Sequence, residues 1–285
     1  MRDVKIIECP RDAMQGLHDF IPTDIKINYI NSLLKCGFDT IDFGSFVSPQ
    51  AIPQLKDTAE VLKNLNLIDS TKLLAIVANE RGANDACVFE EINYLGYPFS
   101  VSESFQQRNT NSSISESLHR VEAIQNLVLK NNKELVLYLS MGFGNPYGDE
   151  WSADIVIKWC ELLYSKLDIK IQALSDTIGI GTPDSIGYLF NALIPALPNV
   201  EFGAHLHTVP EYAKLITKSA YEAGCRRFDG AIKGFGGCPM AADDLTGNMP
   251  TELMLDWMNE HGIKSGIDFD NFKQSMSLAL SVFPS

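Results

Sequence analysis

Short apolar runs rich in β-branched residues recur at intervals along the whole chain. Their length and composition are typical of buried strands. A stretch long enough for a helix follows each run, so the pattern predicts parallel strands joined by right-handed helical crossovers. The eight runs are VKIIEC (4–9), FDTIDFG (38–44), KLLAIVAN (72–79), YPFSVS (97–102), ELVLYLSM (134–141), IKIQALSDT (169–177), VEFGAHLH (200–207) and RRFDGAIKG (226–234).

Apolar residues in the intervening stretches follow helical spacing. We expect Thr23 or Asp24 to cap the first helix, which should stop at Gly37. Its apolar face consists of Ile27, Ile30, Leu33 and Leu34. Further helices are predicted over 51–64, 113–131, 154–166, 184–195 and 210–223.

Eight strand–helix units within 285 residues favour an α/β fold, a single (β/α)8 TIM barrel. A doubly wound open sheet is the alternative, although no GxGxxG motif follows the first strand. No linker-like or low-complexity tract divides the chain, so residues 1–285 are expected to form one catalytic domain. Its active site should then lie at the carboxyl ends of the strands.

Composition and charge narrow the class of protein. The net charge is −13, and no basic face suited to nucleic acid is visible. No apolar run reaches the ~18 residues that span a membrane, and the amino-terminal apolar run is too short for a signal peptide. We therefore expect a cytoplasmic protein. None of the six cysteines forms a CxxC motif, and most are expected to be buried.

Polar side chains of catalytic types cluster where the predicted strands end. They are Arg11 and Asp12 after the first strand, Asp42 and Ser45 on the second, Ser175, Asp176 and Thr177 on the sixth, and His205 and His207 on the seventh. In a barrel these ends meet at one rim, which makes that rim the candidate site.

The HxH pair at the end of the seventh strand indicates a metal site. Residues i and i+2 of a strand face the same side, so both imidazoles can bind one ion. Asp12 can add a carboxylate and Asn248 an amide oxygen. Such a nitrogen and oxygen set suits Mg²⁺ or Mn²⁺, with Zn²⁺ as the alternative.

A glycine-rich loop, GFGGCP (234–239), follows the eighth strand. Glycines at this density permit unusual backbone angles or a close approach to a ligand. Cys238 in this loop is a candidate reactive thiol, able to act as a nucleophile, an acid or a base.

Taken together, these motifs resemble the 3-hydroxy-3-methylglutaryl-CoA lyase family over nearly the whole chain. The GGCP loop is the part most specific to the lyases; related condensing enzymes share several of the others. The similar segments are IIECPRDAMQ (6–15), IDFGSFVSP (41–49), LSDTIGIGTP (174–183), GFGGCPMA (234–241) and LTGNMPTE (245–252).

The resemblance implies cleavage of 3-hydroxy-3-methylglutaryl-CoA to acetoacetate and acetyl-CoA, in leucine degradation. It assigns the metal to Asp12, His205, His207 and Asn248. It implies that Arg11 polarises the thioester carbonyl, that Cys238 handles a proton at the acetyl-CoA end, and that His205 or a neighbouring carboxylate accepts the hydroxyl proton. Asp176 would support the site, and Gln15 and Ser113 would contact substrate. The implied partner is an acyl-CoA, and a homo-oligomer is plausible.

Several positions depart from the family pattern. Asp42 stands where the family usually has Glu, Met240 where an aromatic residue follows GGCP, and Thr208 where Asp often follows HxH. These differences suggest a divergent member whose substrate is a related 3-hydroxyacyl-CoA. Two further alternatives are a synthase that condenses acetyl-CoA with a 2-oxo acid, and a metabolite-binding barrel without catalysis.

Overall fold

Eight parallel strands close into a barrel in a computed structural model of the protein, which describes residues 2–237 and 246–283. The strands are β1 (Lys5–Glu8), β2 (Thr40–Ser45), β3 (Lys72–Ile76), β4 (Ile92–Ser100), β5 (Glu134–Ser140), β6 (Ile171–Asp176), β7 (Glu201–Leu206) and β8 (Arg227–Gly230). β1 pairs with both β2 and β8, which closes the sheet. The predicted TIM barrel is confirmed, and the open-sheet alternative is wrong.

Helices cover the outside of the barrel between successive strands. They are α1 (Pro10–Gln15), α2 (Thr23–Leu34), α3 (Thr58–Lys63), α4 (Glu80–Cys87), α5 (Glu103–Thr110), α6 (Ile114–Lys130), α7 (Ala153–Leu167), α8 (Pro183–Ala196), α9 (Pro210–Glu222), α10 (Thr251–Glu260) and α11 (Phe269–Val282). Short 3-10 turns lie at Pro53–Leu55 and Ile232–Gly234.

The expected cap of α2 is wrong. Pro22 is the N-cap, and Thr23 is already the first helical residue. The Thr23 hydroxyl instead donates to Asp57 at 2.9 Å. Asp57 also accepts from the buried Lys26 at 2.7 Å.

The predicted helix over 51–64 is also wrong as a single element, because it divides into a 3-10 turn and α3. Asp57 lies at the break with non-helical angles, and its carboxylate is held by α2. A tertiary contact therefore interrupts a stretch whose apolar spacing is helical.

Two strand limits differ from the sequence expectation. β4 begins at Ile92 rather than residue 97, because its pairing with β3 starts at Ile92, opposite Leu73. The apolar pattern does not predict this start, because residue 93 is a polar Asn. Its side chain accepts a hydrogen bond from the backbone of Leu73 and does not face the core. β8 ends at Gly230, and the chain then turns toward the glycine-rich loop.

The core has an outer layer and an inner layer. The outer layer lies between the strands and the helices. The inner layer fills one side of the bore with apolar and aromatic side chains, namely Leu74, Ile76, Tyr94, Val136, Tyr138, Ile171 and Ala173. Ionisable side chains of β7 and β8 face this cluster. The His205 ring lies 5.1 Å from the Tyr138 ring, and the Arg227 guanidinium 5.7 Å from the Tyr94 ring.

Among the described residues, no helix combines the length and apolarity needed to cross a membrane. The five cysteines in the described ranges are unpaired thiols, and four of them are buried. Most cysteines therefore serve as small buried side chains, as expected.

Candidate active site

A cavity of about 140 Å³ opens at the carboxyl ends of the strands. Its polar lining includes Arg11, Asp12, Gln15, His205 and His207, and its apolar lining includes Val47, Ile52, Ile76, Pro98 and Phe105. Polar groups of α1 and of the carboxyl end of β7 therefore converge opposite an apolar wall. This combination is typical of a small-molecule site.

Arg11 is held rigidly beside the cavity by Asp42. Its Nε donates to Asp42 Oδ2 at 3.0 Å and its Nη2 donates to the same oxygen at 2.5 Å. Both side chains are buried. Burial alone would lower the pKa of Arg11, but the carboxylates of Asp42 and Asp12 raise it above its ordinary value. Arg11 is thus a fixed cation with little rotational freedom.

Asp12 lies on α1, one residue after Arg11, and has several polar neighbours. Its Oδ1 accepts from Arg11 Nη1 at 2.9 Å and from Gln15 Nε2 at 2.5 Å. Burial acts to raise the pKa of Asp12, but Arg11, His205 and His207 lower it below its ordinary value. Asp12 is therefore an anionic oxygen donor, and Gln15 helps to orient it.

The two histidines of the HxH motif lie side by side at the end of β7. Their ring centroids are 5.5 Å apart. Ligand atoms of Asp12, His205 and His207 all lie within 4.8 Å of one another. Nδ1 of His207 is buried and has no hydrogen-bond partner in the described part of the chain. Burial and the neighbouring His205 lower the pKa of His207 to about 4, so its ring is neutral and has a lone pair available for a ligand.

Asn248 is brought to this cluster by backbone pairing after β8. It forms an antiparallel bridge with His207, and its Nδ2 donates to the Phe235 carbonyl at 2.8 Å. The Asn248 side chain is also close enough to Asp12 to lower the pKa of that carboxyl group. All four residues named for the metal by sequence therefore lie together in the structure.

The other three sequence candidates have different placements. Asp176, at the end of β6, accepts from the backbones of Ile180 and Gly181 and so shapes the loop before α8. Ser113 is the N-cap of α6 in a capping box with Glu116, and it is not among the residues that line the cavity. Cys238 lies outside the described residues.

Two residues of the site were missed by sequence reasoning. Asp229 of β8 is the register partner of His205 and approaches its Nδ1 to 3.1 Å. Tyr138 of β5 packs edge-on against the same imidazole and lines the cavity. Asp229 was detectable as the only carboxylate in the eighth predicted strand, whereas Tyr138 reads as an ordinary strand aromatic.

The closed barrel and the cluster at its rim define the chain as a (β/α)8-barrel protein with a candidate divalent-cation site. A model of the HMGL-like family matches residues 3–278, and the chain belongs to this family.

Named relatives agree with this membership. The cytoplasmic 3-hydroxy-3-methylglutaryl-CoA lyase of Rattus norvegicus is 33% identical over 268 residues, 93% of this chain and 77% of the relative. The crystal structure of the HMG-CoA lyase from Bacillus subtilis superposes with a TM-score of 0.92 at 31% identity, covering 100% of this chain and 96% of that one. An HMG-CoA lyase from Acinetobacter baumannii, solved in complex with coenzyme A and 3-methylmalate, gives 0.90 at 30% identity, with coverage of 98% and 90%.

Proposed function

We propose that this protein is a divalent-metal-dependent lyase, in one domain, that cleaves 3-hydroxy-3-methylglutaryl-CoA to acetoacetate and acetyl-CoA. The observation that carries the proposal is the convergence of Asp12, His205 and His207 beside the fixed guanidinium of Arg11. Family membership and the named lyase relatives support the same reaction.

Asp12, His205, His207 and Asn248 would hold the ion. The fit rests on the buried, unpartnered Nδ1 of His207 and on the anionic Asp12 beside it. One carboxylate, one amide and two imidazoles suit Mg²⁺ or Mn²⁺, with Zn²⁺ as the alternative. When bound, the cation would supply a Lewis acid that orients the substrate hydroxyl and lowers its pKa.

The residues of the chain account for the rest of the reaction. The hydroxyl proton leaves to a neighbouring carboxylate, or to His205 once that imidazole has released the ion. The C–C bond breaks, and its electron pair moves to the thioester to form an enolate. Arg11 faces the developing negative charge, and its two hydrogen bonds to Asp42 fix its direction. The enolate carbon then takes a proton, which we assign to the Cys238 thiol.

The acyl-CoA is the proposed partner. The apolar wall of the cavity can receive the acyl group, and Gln15 lies at its polar side. Arg81 and Arg108 are exposed on α4 and α5 and are candidate contacts for the CoA phosphates. A related 3-hydroxyacyl-CoA remains the second candidate substrate, because Asp42 is one methylene shorter than the family's usual Glu.

Metal removal and restoration test the function directly. We expect acetoacetate release from HMG-CoA to disappear after treatment with EDTA and to return with Mg²⁺ or Mn²⁺. Asp12→Asn should abolish this recovery, while Asp270→Asn, a change at an exposed carboxylate on α11, should preserve it.

Two other outcomes would favour a different function. Acetyl-CoA-dependent thiol release with 2-oxo acids, together with no lyase activity, would identify a condensing synthase instead. Metal binding without turnover of any acyl-CoA would favour the non-catalytic barrel.

Cys238→Ala tests the assigned proton donor. We expect kcat to fall by about 10²–10⁴-fold, the usual contribution of a general acid. The Mn²⁺ affinity should not change, because the thiol is not among the proposed ligands. Cys87→Ala, at a partly exposed thiol on α4, is the matched control and should retain wild-type kcat. Equal kcat for Cys238→Ala and wild type would remove the thiol from the reaction.

Four expectations stay predictions: the cytoplasmic location, the role in leucine degradation, the absence of nucleic-acid and membrane partners, and a homo-oligomeric assembly. Light scattering coupled to size-exclusion chromatography measures the assembly, and growth of a deletion strain on leucine tests the pathway.

A further inference from the structure

Asp229 is a buried carboxylate of β8 that has no assigned role. It is 3% exposed, and its Oδ2 lies 3.1 Å from Nδ1 of His205. The two residues are register partners on adjacent strands, so the backbone ladder fixes their separation. This contact is therefore built into the barrel wall rather than carried by a loop.

The contact determines which imidazole nitrogen faces the cation cluster. With Nδ1 directed to Asp229, Nε2 is directed toward Asp12, 3.7 Å from its Oδ2. A carboxylate can only accept a hydrogen bond, so it favours the tautomer with hydrogen on Nδ1. The lone pair of Nε2 is then free to bind a metal ion.

A second charged residue lies deeper in the bore and acts on Asp229. Arg227 is fully buried on the same strand, and its Nε and Nη2 have no hydrogen-bond partner among the described residues. The second oxygen of Asp229, Oδ1, also has no partner there. Burial alone would lower the pKa of Arg227, but Asp229 leads the groups that raise it. Among the described residues no hydrogen bond joins Arg227 to Asp229, and Nη1 of Arg227 pairs with Glu201 at 3.5 Å instead.

We propose that Asp229 is a positioning residue that holds His205 with hydrogen on Nδ1 and Nε2 directed to the divalent ion. The inference rests on the proposed function for the identity of the ion. It extends the site by Asp229 of β8, which is not among the residues that line the cavity.

Nitrogen NMR on the metal-free protein tests the tautomer without any mutation. In alkaline buffer, where the ring is neutral, we expect the wild-type His205 to carry its hydrogen on Nδ1. In Asp229→Asn the amide can either donate or accept, so the tautomer population should shift toward hydrogen on Nε2. A wild-type ring with hydrogen on Nε2 would overturn the proposal, whether or not the variant folds.

Calorimetric titration with Mn²⁺ provides the second readout. Asp229→Asn should weaken Mn²⁺ binding by about 10–100-fold, the usual cost of losing an outer partner of a metal-ligating histidine. At saturating Mn²⁺ the kcat for HMG-CoA should fall while KM stays within about threefold, since Asp229 does not contact substrate. Wild-type Mn²⁺ affinity in a folded variant would also overturn the inference.

Asp57→Asn is the matched control. It neutralises another buried, paired carboxylate, bonded to Lys26 at 2.7 Å, in α2–α3 packing outside the cation cluster. It should lower stability without changing the Mn²⁺ affinity or the His205 tautomer. Suppose that the wild-type protein shows the expected tautomer when metal-free and binds Mn²⁺, yet does not cleave HMG-CoA. In that case the proposed function fails and the role of Asp229 stands.

Discussion

At the scale of single residues, a buried carboxyl group ties the segment after β8 to β1. Glu8 is fully buried; one of its oxygens accepts from the Ile232 backbone at 2.8 Å and the other from Thr251 Oγ1 at 2.6 Å. Burial is the largest influence and raises the pKa of Glu8 from 4.5 to about 8. Glu8 is therefore protonated in the folded protein at a pH where the unfolded chain is ionised.

Glu8→Gln should change how stability depends on pH. The pKa of Glu8 in the folded protein lies above its value in the unfolded chain. The stability that protonated Glu8 contributes to the wild type is therefore fully present below pH 4.5 and is lost as pH rises toward 8. Glutamine cannot ionise, and its amide can still pair with Ile232 and Thr251. We expect the free energy of unfolding of the variant, relative to wild type, to rise by at least about 2 kcal/mol over this range.

Urea titrations at several pH values measure this difference. Glu90→Gln, at an exposed carboxylate next to β4, is the control and should follow the wild-type curve. Parallel curves for Glu8→Gln and wild type would show that Glu8 is ionised in the folded state.

At the scale of elements, Asp176 links β6 to α8. Its oxygens accept from Ile180 N at 3.0 Å and from Gly181 N at 2.7 Å. Gly181 leaves room for this contact, because a Cβ at this position would lie 2.8 Å from Asp176 Oδ2. The loop on the rim of the barrel is thus shaped by one carboxylate and one missing side chain.

Gly181→Ala should therefore open this loop. The methyl group displaces the Asp176 carboxylate, and at least one buried hydrogen bond is lost, at a cost of about 1–3 kcal/mol. Hydrogen exchange followed by mass spectrometry should show faster exchange in the peptide over 178–182. Gly16→Ala is the control, because a Cβ there meets no atom within 4 Å. Unchanged exchange in Gly181→Ala would mean that the loop does not depend on Asp176.

At the scale of the whole molecule, α11 packs against α2 and connects distant parts of the barrel wall. Phe272 lies edge-on to Phe38 at 6.1 Å. Phe283, at the end of α11, stacks on Phe235 of the glycine-rich loop at 4.5 Å and contacts Tyr29 at 5.8 Å. The last helix therefore supports the loop that leads to Cys238.

Phe272→Ala should destabilise the entire barrel. The side chain is 3% exposed, and truncation of a buried Phe costs about 3–5 kcal/mol. Leu280→Ala on the same helix removes a side chain that is 56% exposed and should cost less than about 0.5 kcal/mol. Urea midpoints compare the two variants. Similar midpoints would mean that α11 contributes little to the stability of the barrel.

The strands, and the placement of two histidines at one strand end, could be predicted because local spacing carries that information. The HxH spacing of His205 and His207 brings both rings to one place because side chains alternate along a strand. Asp12 could be predicted from barrel closure, and Asn248 from its position in the loop after the eighth strand. Ser113 and Glu116 also have a local signature, the S-x-x-E spacing of a capping box, whereas the family resemblance pointed to substrate contact.

The sequence by itself determined the strand–helix alternation, the rim at which polar groups gather and the residue types available there, because these follow from local periodicity and from parallel connections. Only the tertiary structure decided that β1 meets β8, that Asp57 divides the stretch over 51–64, and that Asp229 lies against His205. Each of these depends on contacts between residues far apart in the chain, and no local pattern records which distant partners fill the space between elements.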